Sequence, residues 1–201
     1  MEKTRTKKYR DITATARDLF FRYGTRRVTV EEICEKSGVS KMTFYRFFRN
    51  KNDCALQVLD EWFKGADARY SAIMEREIPF VDRVRELILL KVEMSRELGD
   101  EFLSEIIEPN QVLHDFIMEQ ALKYHDMTVE FFIKGQQEGI INPCYSIEFL
   151  VVLTDRIRDM LNNEDIKRVI PDPHDRIEAV LKCFFYGIAG MEPGQDTLQY
   201  E

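Results

Sequence analysis

Apolar residues recur at helical spacings along almost the whole of this sequence, and nowhere do they alternate convincingly for the length of a β-strand. Ile12, Ala16, Leu19, Phe20 and Tyr23 fall at i, i+4, i+7, i+8 and i+11, which gathers them on one face of a helix. Ile177, Val180, Leu181, Phe184, Phe185 and Ile188 repeat the pattern near the other end. Helices with one apolar stripe each can bury it only against other helices, so the fold class is all-α.

Punctuation between the stripes divides the chain into nine expected helices. The first stops at Gly24, a residue that accepts a positive φ cheaply. The second opens at Thr29, which forms a capping-box pattern with Glu32, and closes at Gly38. Ser40 caps a short third helix, Lys41 to Phe48, with Phe44, Phe47 and Phe48 pointing inward. Asn50 caps a fourth that runs to about Arg76. A fifth starts at Pro79 and reaches Leu98, with apolar residues on more than one face. The sixth spans Asp100 to Ile107 and stops before Pro109. The seventh runs from Asn110 to Glu138, and Gly139 and Pro143 mark the turn after it. Ser146 caps an eighth helix to Leu161, and the polar stretch Asn162 to Pro171 reads as a loop. Asp172-Pro173-His174-Asp175 is a start signal for the ninth, with residues from Glu192 onward reading as a loose tail.

The formal net charge of −7 is unevenly spread. Residues 1–52 carry 14 Lys/Arg and 6 Asp/Glu, a balance of +8, whereas residues 53–201 carry 15 and 30, a balance of −15. A basic head on an acidic body implies that the head alone meets a polyanion, and it divides the chain at residue 52. The four cysteines form no C-x-x-C pair, and three sit in apolar helical patterns. They read as small buried residues in a reducing compartment. The charged N-terminus lacks the apolar stretch of a signal peptide, and the longest apolar runs, such as Phe149 to Leu153, fall far short of the ~20 residues of a membrane span. A cytoplasmic location is expected.

Residues 29–48 then read as helix, Gly-Val-Ser turn and short helix, the helix-turn-helix arrangement that lays its second helix in the DNA major groove. Three Phe anchors turn the positions between them, Lys41, Met42, Thr43, Tyr45 and Arg46, toward DNA. Lys and Arg donate to guanine O6 and N7, and Met or Thr can touch a thymine methyl group. Tyr45, Thr43, Thr29 at the start of the second helix, and Lys51 ahead of the fourth are candidate phosphate ligands, with Ser40 beside them as the cap. A turn of this kind also occurs in ordinary helical hairpins. The local positive charge and the Lys-Met-Thr-x-Tyr-Arg face favour the DNA reading.

The stretches Thr29-Val-Glu-Glu-Ile33 and Gly38-Val-Ser-Lys-Met-Thr-Phe-Tyr-Arg-Phe-Phe-Arg-Asn-Lys51 resemble the signature of the TetR family over residues 7–60. The resemblance implies a nine-helix protomer with a three-helix reading head (residues 1–52) and a helical ligand-binding and dimerisation body (residues 53–201). It implies that helices eight and nine pair across a two-fold axis, and that Thr29, Thr43, Tyr45 and Lys51 bind phosphate while Lys41, Met42, Tyr45 and Arg46 lie near base edges. Two positions depart from the pattern. Met42 stands where many members have a small residue, and Phe47 where many have His.

The function expected is that of a transcriptional regulator, most simply a repressor, that binds a pseudo-palindromic operator as a dimer and is released by a small-molecule effector. No cofactor, metal site or membrane association is expected. His114 and His125 lie eleven residues apart without a matched set of further ligands. Trp62, Met94, Phe102, Phe116, Tyr124 and Phe131 are possible lining residues for an effector pocket, and aromatics at this spacing are more commonly core. The alternative, an all-helical carrier or enzyme without DNA binding, finds no Ser/His/Asp or Cys/His set and no phosphate loop to rest on.

Overall fold

The computed structural model describes residues 6–107 and 111–189, apart from the side chains of residues 111, 112, 121, 158, 188 and 189. Every regular element among them is helical. The chain forms two compact units, one of residues 1–69 with 96–117 and one of residues 70–95 with 118–201. The division at residue 52 is one of charge and motif, and compactness divides the chain elsewhere.

The first unit is built on α1 (Lys7–Arg27), α2 (Val30–Ser37), α3 (Lys41–Phe47), the start of α4 (Lys51–Met74) and α6 (Asp100–Ile107). Ile12, Ala16 and Phe20 of α1 are fully buried, as are Ile33 of α2, Phe44 of α3 and Leu59 of α4. Withdrawing a Phe or Leu side chain from water in this way stabilises the fold by about 2 kcal/mol. α1 packs against both α2 and α6. The ring of Phe102, from α6, stacks on Phe21 at 5.3 Å, and Phe63 meets Phe116 at 5.8 Å. Phe102 is therefore core.

The second unit contains the end of α4, α5 (Phe80–Arg96), most of α7 (Gln111–Gln137), and four further helices: α8 (Ile147–Asp155), α9 (Ile157–Asn162), α10 (Glu164–Val169) and α11 (Pro173–Ala189). Phe131 of α7 packs on Phe80 at 4.7 Å and edge-on against Phe185 of α11 at 5.8 Å, so it too is core. Buried Arg83, on α5, donates to the carbonyls of Arg76 and Ile78 and closes the link between α4 and α5.

The expected caps are in place. Asn50 Oδ1 accepts from the Asp53 N–H at 2.9 Å, Ser146 Oγ from Phe149 at 3.2 Å, and Asp172 Oδ1 from His174 and Asp175 at 2.8 and 2.9 Å. Those two donors, with Asp175 the stronger, hold the Asp172 carboxyl below the ordinary range.

Three expectations need correction. The eighth helix is not continuous to Leu161. At Arg156 the backbone N–H is shared between the Val152 and Leu153 carbonyls, a tightened turn that separates α8 from α9. The stretch expected as a loop holds α10. Asn163 Oδ1 accepts from Asp165 and Ile166, acids stand in its first turn and bases in its last, and Glu164–Lys167 and Asp165–Arg168 pair one turn apart. Caps and charge order build this helix without an apolar stripe. The nine expected helices are thus eleven helical segments among the described residues. Finally, only Cys34 and Cys54 are buried, whereas Cys144 and Cys183 are exposed. Burial pushes the Cys54 thiol up to about 12 and raises that of Cys34. The tail expected from Glu192 lies outside the described residues.

Candidate nucleic-acid interface

α2 ends because Gly38 takes a left-handed conformation, with φ at +67°. The Gly38 N–H then bonds the Glu35 carbonyl at 3.3 Å and the Val39 N–H bonds that of Cys34 at 3.0 Å, a Schellman closure that satisfies the end of the helix. One residue later, Ser40 starts α3: its Oγ accepts from the Thr43 N–H at 3.1 Å. Three residues thus redirect the chain from one helix to the next at a fixed angle.

α3 is held from beneath. Phe44 is fully buried and meets Phe48 at 5.3 Å. Tyr9, near the start of α1, lies edge-on to Phe47 at 5.7 Å and stacks on Phe48 at 5.5 Å. Helical geometry turns Lys41, Met42, Tyr45 and Arg46 to the opposite face. Met42 is 78% exposed and Tyr45 54% exposed, and Lys41 and Arg46 are exposed as well. Met42 and Tyr45 thus leave apolar and aromatic surface open to a partner on this face. The Tyr45 ring stands edge-on to Phe44 at 5.5 Å, and the Arg46 guanidinium rests over the ring of Phe47.

The remaining site residues sit at helix starts. Thr29 is the N-cap of α2, its hydroxyl accepting from the Glu32 N–H at 3.2 Å. Thr43 shares a hydrogen bond with Ser40 Oγ at 3.0 Å. Each hydroxyl can still offer a proton to a phosphate oxygen. Lys51, the first residue of α4, uses its ammonium internally, donating to the Val28 carbonyl at 2.7 Å and to that of Arg26 at 3.3 Å. One of its three N–H bonds is left for a phosphate. It also ties the start of α4 to the chain leading into α2.

Sequence reasoning missed the carbonyl partners of Lys51 and, beside them, a partner of Lys41. The carboxylate of Glu31, in the first turn of α2, accepts a hydrogen bond from the Lys41 ammonium. That bond holds the Glu31 carboxyl below its usual range and Lys41 above its own. Around Tyr23 a second basic group gathers: Arg27 lies 4.7 Å, Arg22 5.7 Å and Lys36 5.9 Å from its ring centroid.

Residues 12–58, which span the rear of α1, the α2-turn-α3 unit and the start of α4, match the model described as bacterial regulatory proteins, tetR family. Residues 12–58 form a TetR-family DNA-binding segment. The protein is a DNA-binding transcriptional regulator and not an enzyme. It is 21% identical over 138 residues to the uncharacterized HTH-type transcriptional regulator YhgD of Bacillus subtilis (strain 168), covering 66% of this chain and 71% of that one. Its fold matches the regulatory protein TetR of Rhodobacter sphaeroides with a TM-score of 0.68 at 16% identity, over 89% of this chain and 97% of the other. It also matches a putative transcriptional regulator from Saccharomonospora viridis, solved in complex with choline, with a TM-score of 0.68 at 20% identity, over 87% and 93% of the two chains. Among the described residues, no helix of this chain is long and apolar enough to cross a membrane.

Proposed function

We propose that this regulator binds a pseudo-palindromic operator as a homodimer, represses from it, and is released when a small molecule enters its body. The observation that carries the reading is the open Lys41, Met42, Tyr45 and Arg46 face on a helix pinned by caps and buried rings. Residues 1–52 serve as the reading head and residues 53–201 as the sensing and pairing body. A protein that meets chromosomal DNA in a bacterium works in the cytoplasm.

Pairing through α8, α9 and α11 gains support from the apolar surface that the first two leave open. Phe149 and Val152 of α8 and Met160 of α9 are exposed, with Tyr145 stacked on Phe149 just ahead of α8. Two-fold pairing sets two heads at a fixed spacing, which a two-fold operator matches. The solved relative bound to choline supports a small-molecule effector in this architecture. An effector that pivots α4 would change the spacing of the heads, and affinity falls when that spacing leaves the groove repeat.

Titration of the full chain with DNA from upstream of its own gene, across a salt series, is expected to give a logarithmic slope of ~−0.9 per phosphate contacted. If no fragment is preferred there or in a genome-wide selection, the operator reading is wrong. Tyr45→Phe is expected to weaken binding about tenfold for all sequences alike, since it removes one charge-assisted hydrogen bond to phosphate and no base contact. An unchanged affinity would remove Tyr45 from the phosphate ligands.

Pairing also has a chemical readout. Cys144 and Cys183 are both exposed in the protomer, but only Cys183 lies on α11. In dilute solution under native conditions, a thiol reagent is expected to label Cys144 promptly and Cys183 only after the dimer dissociates. Equal rates at concentrations where the protein sediments as a dimer would place the two-fold axis elsewhere.

A further inference from the structure

α2 and α3 each present their first turn at the reading edge, and between those turns lies the Glu31–Lys41 ion pair. Both side chains are more than half exposed, at 62% and 55%. An exposed pair between flexible side chains adds little to stability, so the fold does not need it. For phosphate binding alone Glu31 is a handicap, because it sets a negative charge at the edge of a head whose balance is +8 and occupies the first lysine of α3.

We propose that Glu31 is a specificity-determining residue, and that the Glu31–Lys41 pair reads one G·C base pair as a unit. The inference rests on the operator reading above. The major-groove edge of a G·C pair sets the guanine O6 acceptor beside the cytosine N4 amino donor. The ion pair sets a donor, the Lys41 ammonium, beside an acceptor, the Glu31 carboxylate. The two edges are complementary: Lys41 donates to guanine O6 or N7 while Glu31 accepts from cytosine N4. Away from such a base pair, Glu31 keeps Lys41 engaged and repels the backbone, which lowers affinity for random sequence. At an A·T pair the order of groups changes and the carboxylate faces the thymine O4 acceptor or its methyl group, leaving Glu31 unpaired against DNA.

The test uses the full-length wild type and Glu31→Gln, Lys41→Gln and the double variant. The DNA probes are the best duplex selected by the wild type from a random library and a scrambled duplex of equal length. Glu31→Gln is expected to bind scrambled DNA more tightly, with a salt slope steeper by ~0.9, since Lys41 is released to a phosphate. Its preference for the selected duplex is expected to fall about 10- to 100-fold, the worth of one good two-point base contact. In the Lys41→Gln background the same replacement is expected to leave the slope unchanged. A Glu31→Gln protein with the wild-type slope and preference overturns the proposal while leaving the operator reading intact. An equal steepening with and without Lys41 also overturns it, by showing that Glu31 acts through repulsion alone. A wild type without sequence preference overturns the operator reading, and this inference falls with it. Because both side chains are exposed, all variants are expected to melt together, and a melting curve verifies that they are folded.

Discussion

Replacing Glu105 with alanine is expected to lower the unfolding free energy by about 3 kcal/mol, a large loss for a single residue. Glu105 lies on α6 with its side chain buried. Its carboxylate accepts from the Thr25 N–H at 3.0 Å, the Thr25 hydroxyl at 2.5 Å and the Arg26 N–H at 3.3 Å. Those donors converge on it because Gly24 breaks α1 at a φ of +75° and turns the next amides toward α6. The break is specific to glycine: a Cβ at position 24 would stand 2.8 Å from Glu105 Oε1. Beside it the Gly99 N–H donates to the Phe21 carbonyl at 2.6 Å, so α6 satisfies both an acceptor and the donors at the end of α1. Alanine at 105 would strand those donors away from water, at about 1–3 kcal/mol for each that stays buried and unpaired. Over a chain of 201 residues, the loss corresponds to about 6–12 °C in melting temperature. Glu105→Gln keeps an acceptor oxygen and is expected to recover about half of it. Urea unfolding of the three proteins measures this directly. An alanine variant within about 0.5 kcal/mol of wild type, on the order of an ordinary surface substitution, would mean that the α1–α6 joint rests on the Phe21–Phe102 stack and the Gly99–Phe21 bond without Glu105.

The functional consequence concerns the reading head. α1 carries Tyr9, which grips Phe47 and Phe48 beneath α3, and Lys51 ties α4 to the carbonyls ahead of α2. The reading head is therefore held by α1 and by α4 through contacts internal to the protein. Loosening the end of α1 is expected to weaken operator binding through the ordering that binding would then require.

How much of this the sequence discloses follows from the range of the interactions. Helix starts at Thr29, Ser40, Asn50, Ser146 and Asp172 were legible because an N-cap is written in one residue and the amides two or three places on. The α2-turn-α3 unit was legible for the same reason, since Gly38 and Ser40 act on their own neighbours. α10 escaped a search for apolar stripes because its support is polar. The partners of Lys41 and Lys51 escaped because they lie ten and more than twenty residues away, where spacing carries no information. Glu105 did leave a trace. It sits three residues after Phe102, on the buried side of α6, and a carboxylate on an apolar face must find donors or stay protonated.

In the second unit the largest effect is expected from Arg83→Ala, a loss of about 3 kcal/mol, from two carbonyls left without their donor and a buried side-chain volume left empty. Arg83 is 1% exposed. Its Nη2 donates to the Arg76 carbonyl at 2.8 Å and to that of Ile78 at 3.3 Å, and its Nη1 faces Glu138 Oε1 at 3.6 Å. Glu138 also accepts from the Phe80 N–H at 3.2 Å, which ties the start of α5 to the residue that follows α7. Two terms compete. Burying a guanidinium costs free energy, the more so because Nε and Nη1 have no hydrogen-bond partner. Against that, two carbonyls of a tight link would lose their donor, and a side-chain volume would be left empty. Arg83→Met separates the two, since it fills the volume without the charge or the donors. If packing dominates, Met is expected to recover more than half of the alanine loss, and if the carbonyl contacts dominate it recovers little. The hydrogen-bond count favours the second outcome, because the 75–79 link has no other side-chain donor reaching Arg76 or Ile78 among the described bonds. A methionine variant as stable as wild type would reverse that ordering and make Arg83 a space-filling residue whose charge is a net cost.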